Sequence, residues 1–173
     1  MASPSLSSLG FEHRVVVGIA DLAVSNNTSV TLATYSLGSC VAVTLYDAVA
    51  RVGGMVHVML PDSSIDPDKA RRQPGMFVDT GLPAVFRAAY ELGAQKGRLR
   101  VTVVGGSQIM DSSGFFNIGK RNCETTLQIL GDNGVRVAAE QMGGVVNRTV
   151  YLQLSTGQVR LKVSGQATEI VLI

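Results

Sequence analysis

The segment from Cys40 to Leu60 constrains the fold more than any other part of the chain. Val41, Val43 and Leu45 alternate with Ala42, Thr44 and Tyr46; Asp47-Ala48-Val49-Ala50 then makes a turn, and Arg51 to Leu60 returns as a second, Val-rich run. Side chains of a strand alternate between its two faces, so this pattern around a short turn predicts a β-hairpin. Cys40 opens one arm and His57 lies near the end of the other. With the turn centred near residues 48–49, position 57 pairs with a position close to 40, which brings the two side chains to about 5 Å at Cβ.

The pairing carries weight because reactive groups are scarce: the 173 residues hold two cysteines and two histidines. A thiol beside an imidazole is a nucleophile with its own proton carrier. Two plainer readings stand beside this one. Free cysteines commonly pack as small hydrophobes, and a histidine in an apolar strand is commonly a satisfied structural residue. Cys123 sits at helical spacing with Leu127 and Leu130, which suits an inner helix face. His13, beside Glu12, belongs to a Ser-rich lead-in over residues 1–13 that reads as disordered, ahead of a single domain over 14–173.

Several function classes recede. A net charge of +2 and 5 % aromatic residues give no basic, aromatic-lined groove for nucleic acid. No apolar run approaches the roughly 20 residues of a membrane span, and the first ten residues lack a secretory pattern, so a cytoplasmic location with reduced thiols is expected. The chain has no Cys-x-x-Cys and no paired histidines for a metal, and its Gly-Gly pairs fit no phosphate-binding loop. Neither a metal nor another cofactor is expected.

Strands are expected at Val15–Ile19, Ser29–Thr34, Leu99–Val104, Val135–Glu140, Thr149–Leu154, Gln158–Val163 and Glu169–Ile173, besides the hairpin. Helices are expected over Asp79–Leu92, capped by Asp79 or Thr80 with Pro83 in the first turn, and over Gly119–Leu130. Pro61–Gly75 reads as a long polar loop, either substrate-facing or a solvated excursion. Without regular strand–helix alternation the class is α+β, with packed, mixed β-sheets and the two main helices on an outer face. Leu37-Gly38-Ser39 makes a bend before Cys40 and exposes backbone N–H groups there, so Gly38 and Ser39 are candidates for holding an oxyanion.

Three segments, Leu37-Gly38-Ser39-Cys40-Val41, His57-Val58-Met59-Leu60-Pro61 and Asn117-Ile118-Gly119-Lys120-Arg121-Asn122, resemble signatures of the CheD family, the chemoreceptor glutamine deamidases. The likeness runs from about Val15 to the C-terminus in the family's order and spacing. It implies a layered α/β sandwich in which Cys40 is the nucleophile, His57 the general base and acid, and Thr34 the group that orients the imidazole. It also implies glutamines of methyl-accepting chemotaxis receptors as substrate and a CheC-type phosphatase as a binding partner. Two other readings use the same chain: an interaction protein for that phosphatase or receptor, and a receptor methylesterase working through the same Cys-His pair.

Overall fold

The computed structural model describes residues 12–109 and 113–173. Its strands are β1 (His13–Val16), β2 (Leu22–Ser25), β3 (Val30–Leu37), β4 (Val41–Asp47), β5 (Val52–Val58), β6 (Arg100–Gly105), β7 (Val137–Met142), β8 (Arg148–Gln153), β9 (Gln158–Val163) and β10 (Ile170–Val171). Three α-helices accompany them: α1 (Pro67–Arg72), α2 (Val78–Glu91) and α3 (Ile118–Asp132). The strands form two five-stranded sheets, ordered β1-β3-β8-β9-β10 and β2-β5-β4-β6-β7. Both are mixed, because β1–β3 and β6–β7 pair in parallel and the remaining pairs are antiparallel.

The expected hairpin is the centre of the second sheet. Every residue of β4 and β5 is buried. On one face Val41, Val43 and Leu45 pack against Leu82, Val85 and Phe86 of α2 and Leu130 of α3. On the other, Ala42 and Tyr46 join Leu32, Val150, Leu152 and Leu161 of the first sheet. The layers therefore run helix, sheet, sheet, and the α+β reading holds. Each fully buried Leu or Val adds about 1.5–3 kcal/mol, so the doubly covered hairpin is the main apolar anchor of the fold.

The hairpin turn is tied from inside by Asp47, whose side chain is wholly buried. Its carboxylate accepts from Val49 N (2.9 Å), Ala50 N (3.0 Å) and Gln95 N (2.9 Å). Arg98 completes the set with an Nη2–Oδ2 ion pair at 2.8 Å. These partners hold the carboxyl at about 2, below its ordinary 3.8, with the Arg98 hydrogen bond the largest stabilising influence against the opposing cost of burial.

Differences from the sequence-based expectations cluster where the chain changes direction. The first strand ends at Val16 rather than Ile19, because Ala20 takes a left-handed backbone (φ 63°) and turns the chain into β2, which was not foreseen. All four residues of β2 are half-buried, so it shows no alternation to read. The 61–75 segment is not an open loop. It holds α1, with Asp66 accepting from Lys69 N at 2.9 Å, between two single 3₁₀ turns, and it closes on a Leu60–Phe77 bridge. That bridge starts α2 at Val78, which leaves Pro83 in its second turn. Asp79 does not cap the helix; it accepts from Ser63 N (3.0 Å) and Ser63 Oγ (2.6 Å). The inner face of α3 is Gly119, Asn122, Thr126 and Leu130, so Leu127 is on the outside and Cys123 is only half-buried. Residues 1–11 of the expected lead-in lie outside the described residues. Glu12 and His13 are described, and Glu12 accepts from Thr31 Oγ1 at 2.5 Å.

Asp47→Ala leaves the two turn N–H groups of Val49 and Ala50, and that of Gln95, without their acceptor and breaks an ion pair whose acidic member is buried. A loss of about 3 kcal/mol is expected, read as a lowered midpoint in urea unfolding.

Candidate active site

Two peptide clamps fix the strand that carries His57. Its carbonyl accepts from Ala20 N (2.8 Å), and its N–H donates to Asp21 O (3.0 Å). Across the ladder His57 pairs with Ala42, and the last β4–β5 pair is Val41 with Val58. The register is thus two residues from a direct Cys40–His57 pair. Because a step of two keeps a residue on the same face, Cys40 remains the diagonal neighbour of His57, a relationship that long side chains span. The structure therefore brings Cys40 and His57 to one face at one end of the hairpin, where the second sheet meets the first.

Thr34 reaches this face from the opposite sheet. Its Oγ1 lies 2.7 Å from His57 Nδ1 and 2.7 Å from the Val17 carbonyl oxygen. A threonine hydroxyl has one proton, and a carbonyl can only accept. The hydroxyl therefore donates to Val17 and accepts from His57, which places the imidazole proton on Nδ1. Nε2, buried and without a hydrogen-bond partner among the described residues, keeps its lone pair. Burial holds the imidazolium down to about 4 from its ordinary 6.5, so the ring is neutral at neutral pH.

A bulge in β3 prepares this geometry. Thr34 pairs with Val150 and Leu37 with Arg148, one residue more on β3 than on β8, with Ser36 in a left-handed conformation. Thr34 and Leu37 both face inward while Tyr35 and Ser36 face out. The chain then bends through Gly38 and Ser39 into Cys40.

The peptide units around Cys40 are held individually. Ser107 N donates to Gly38 O (2.8 Å), Asn122 Nδ2 to Ser39 O (2.9 Å), and Gly106 N to Cys40 O (2.8 Å). Gly105 and Gly106 have φ of 122° and 67°, and a Cβ on Gly105 would overlap the Cys40 carbonyl, so this approach requires glycine. Among the described residues, the N–H groups of Ser39 and Cys40 make no backbone hydrogen bond outside their own residue. The Cys40 N–H lies toward its own sulfur. Desolvation nevertheless raises the Cys40 thiol above its ordinary value, the N–H offsetting only part of it. At rest the pair is a neutral thiol and a neutral imidazole rather than an ion pair.

Of the residues singled out in the sequence, Thr34, Cys40 and His57 converge, with Gly38 and Ser39 supplying the bend. Two further contributors were not foreseen. The Val17 carbonyl is backbone and leaves no side-chain signal. Asn122 was visible inside the third motif but without a role; fully buried, it also donates to Met59 O at 2.9 Å. Nearby, Arg148 Nη1 donates to Ser107 Oγ (2.8 Å) and Gly143 O (2.8 Å), bracing the loop that holds Gly38. Cys123 lies in an adjoining depression of about 440 Å³ with Gly106, Gln108 and Met142. No group of three or more potential metal-ligating side chains occurs among the described residues, and no described helix is long and apolar enough to cross a membrane.

Two measurements follow from the protonation states. Between pH 6.5 and about 4 the unfolded chain binds a proton at residue 57 that the folded chain excludes. Stability therefore falls as pH is lowered through that window, by about 3 kcal/mol in total. Urea unfolding at stepped pH is expected to show this fall, and His57→Gln to flatten it. Cys40 alkylation by iodoacetamide is expected to keep accelerating above pH 9, whereas a plateau near neutrality would contradict a neutral resting thiol.

The family model for CheD, chemotactic sensory transduction, matches residues 59–163. The chain is 50 % identical over 151 residues to the probable chemoreceptor glutamine deamidase CheD 1 of Syntrophus aciditrophicus, covering 87 % of this chain and 94 % of that protein. It is 42 % identical over 159 residues to the probable chemoreceptor glutamine deamidase CheD of Solibacter usitatus, covering 92 % and 94 %. A third relative, of the same printed name, from Pyrococcus abyssi is 42 % identical over 161 residues, covering 91 % and 97 %. With its signature segments gathered at one end of the sandwich and similarity running through nearly the whole chain, the protein belongs to the CheD family.

Proposed function

We propose that this chain is a protein-glutamine deamidase that converts glutamines of chemotaxis receptors to glutamate through a thioester on Cys40. The observation that carries the reading is the buried Nε2 of His57, which has no hydrogen-bond partner among the described residues, on the same face as a partly buried thiol. The names of the relatives support the substrate, and the family resemblance adds the CheC-type phosphatase as a partner.

Because the resting thiol is neutral, its proton must leave as the sulfur attacks. Nε2 accepts it while Sγ bonds to the carboxamide carbon of the glutamine side chain. The carbonyl oxygen becomes an oxyanion, which the N–H groups of Cys40 and Ser39 receive in this reading. The imidazolium returns the proton to the amide nitrogen, the C–N bond breaks, and ammonia departs from a thioester. Nε2 then takes a proton from water as its oxygen attacks the thioester carbon. The C–S bond breaks, sulfur recovers the proton, and glutamate leaves.

Thr34 holds the ring through a neutral hydroxyl backed by the Val17 carbonyl dipole. That arrangement fixes the tautomer but stabilises the transient imidazolium less than a carboxylate would, which suits slow, single processing of a receptor site.

With purified receptor cytoplasmic fragments, the wild-type chain is expected to release ammonia and raise individual glutamines by one dalton in mass. Cys40→Ser and His57→Ala are expected to abolish both signals while keeping the native circular dichroism. Thr34→Val should lower kcat by about 10²-fold, and Thr34→Ser should recover most of it. Unchanged ammonia release from Cys40→Ser would end the proposal.

A further inference from the structure

Asn122 belongs to the helical layer, yet its carboxamide ends in the hairpin mouth. The side chain is fully buried, and both Nδ2 protons are used, on Ser39 O (2.9 Å) and Met59 O (2.9 Å). Two carbonyls can be satisfied only by the NH₂ edge, so the chemistry itself fixes which way the amide is turned. Oδ1 is buried and has no hydrogen-bond partner among the described residues. An unsatisfied buried acceptor is costly, so packing alone gives no reason for an amide here.

The location of the two carbonyls supplies one. The β4–β5 ladder stops at Val41–Val58, one residue short of Cys40 and one short of Met59. Asn122 bridges the strands just beyond that point. Ser39 O also belongs to the same peptide unit as the Cys40 N–H. In a trans peptide the C=O and the following N–H point in opposite directions. Holding the carbonyl toward α3 therefore directs the Cys40 N–H away from α3. Gly106 N holds the next carbonyl, that of Cys40, at 2.8 Å. The peptide carrying the nucleophile's N–H has no rotation left.

We propose that Asn122 is a positioning residue, which orients the Ser39–Cys40 peptide so that the Cys40 N–H receives the oxyanion formed when Cys40 is acylated. The proposal rests on the acyl-transfer reading of Cys40, and it is separable from the identity of the natural substrate. Acylation passes through an oxyanion, while alkylation of the same sulfur does not. Loss of the positioning residue must therefore slow the first reaction far more than the second. A residue needed only for folding would slow both alike.

The test compares two probes on the full chain. Acylation is followed as the burst of nitrophenolate from p-nitrophenyl acetate, and alkylation as modification by iodoacetamide. Cys40→Ser serves as the blank that removes any reaction at Cys123. Asn122→Ala is expected to slow acylation by about 10²-fold, the scale of losing one oxyanion donor, and alkylation less than threefold. Asn122→Ser, which keeps a donor on a shorter side chain, is expected to shift the ratio in the same direction by less, and it carries the comparison should the Ala variant not fold. Equal slowing of both reactions, or no change in either, would overturn the proposal. A wild-type protein that is acylated by the ester but inert toward receptor glutamines would sink the deamidase reading and leave the Asn122 comparison valid.

Discussion

One hydroxyl proton decides which tautomer His57 adopts. Thr34 stands between the Val17 carbonyl and His57 Nδ1, 2.7 Å from each, and can donate to only one of them. The carbonyl takes the proton, the imidazole must donate in turn, and a lone pair is left on Nε2. No charged group takes part. The tautomer is defined by counting donors and acceptors in a dry region, where the alternative would leave Nδ1 without its hydrogen and two acceptors facing each other.

Dryness also sets the resting state. Burial discourages charge on the imidazole and on the thiol in the same direction of effect: the ring stays deprotonated and the sulfur protonated. In the proposed reaction the thiolate is therefore generated only as a bond forms, in contrast with enzymes that store a thiolate–imidazolium pair. Such a site depends heavily on fixed dipoles. The peptide units at Gly38, Ser39 and Cys40 supply fixed dipoles of that kind, each carbonyl held by a different residue, Ser107, Asn122 and Gly106.

How much was legible in the sequence follows from the range of the interactions involved. The β4–β5 hairpin was readable because its alternation and its turn are local. Its register was readable only to within two residues, since Asp47 shapes the turn with help from Arg98 and Gln95, far along the chain. Thr34 had no local signature and came from family resemblance, because its role depends on one sheet lying over another. The Val17 carbonyl was invisible in principle: any residue supplies a carbonyl, and only the left-handed turn at Ala20 delivers this stretch to the site. Asn122 was seen as part of a motif, but its two acceptors come from segments that meet only after the helix has packed. The 61–75 segment misled for the opposite reason, as its polar composition concealed a short capped helix.

The division of the site between two sheets has a consequence for the chain's life before it is complete. Cys40 and His57 come from one hairpin, yet Thr34 lies in β3, which sits between β1 and β8, and its own pairing partner Val150 comes more than a hundred residues later. A chain that ends before β8 carries Cys40 and His57 on its hairpin but lacks the antiparallel partner against which Thr34 is seated. On the proposed mechanism, the contact that fixes the His57 tautomer therefore requires the C-terminal strands to dock.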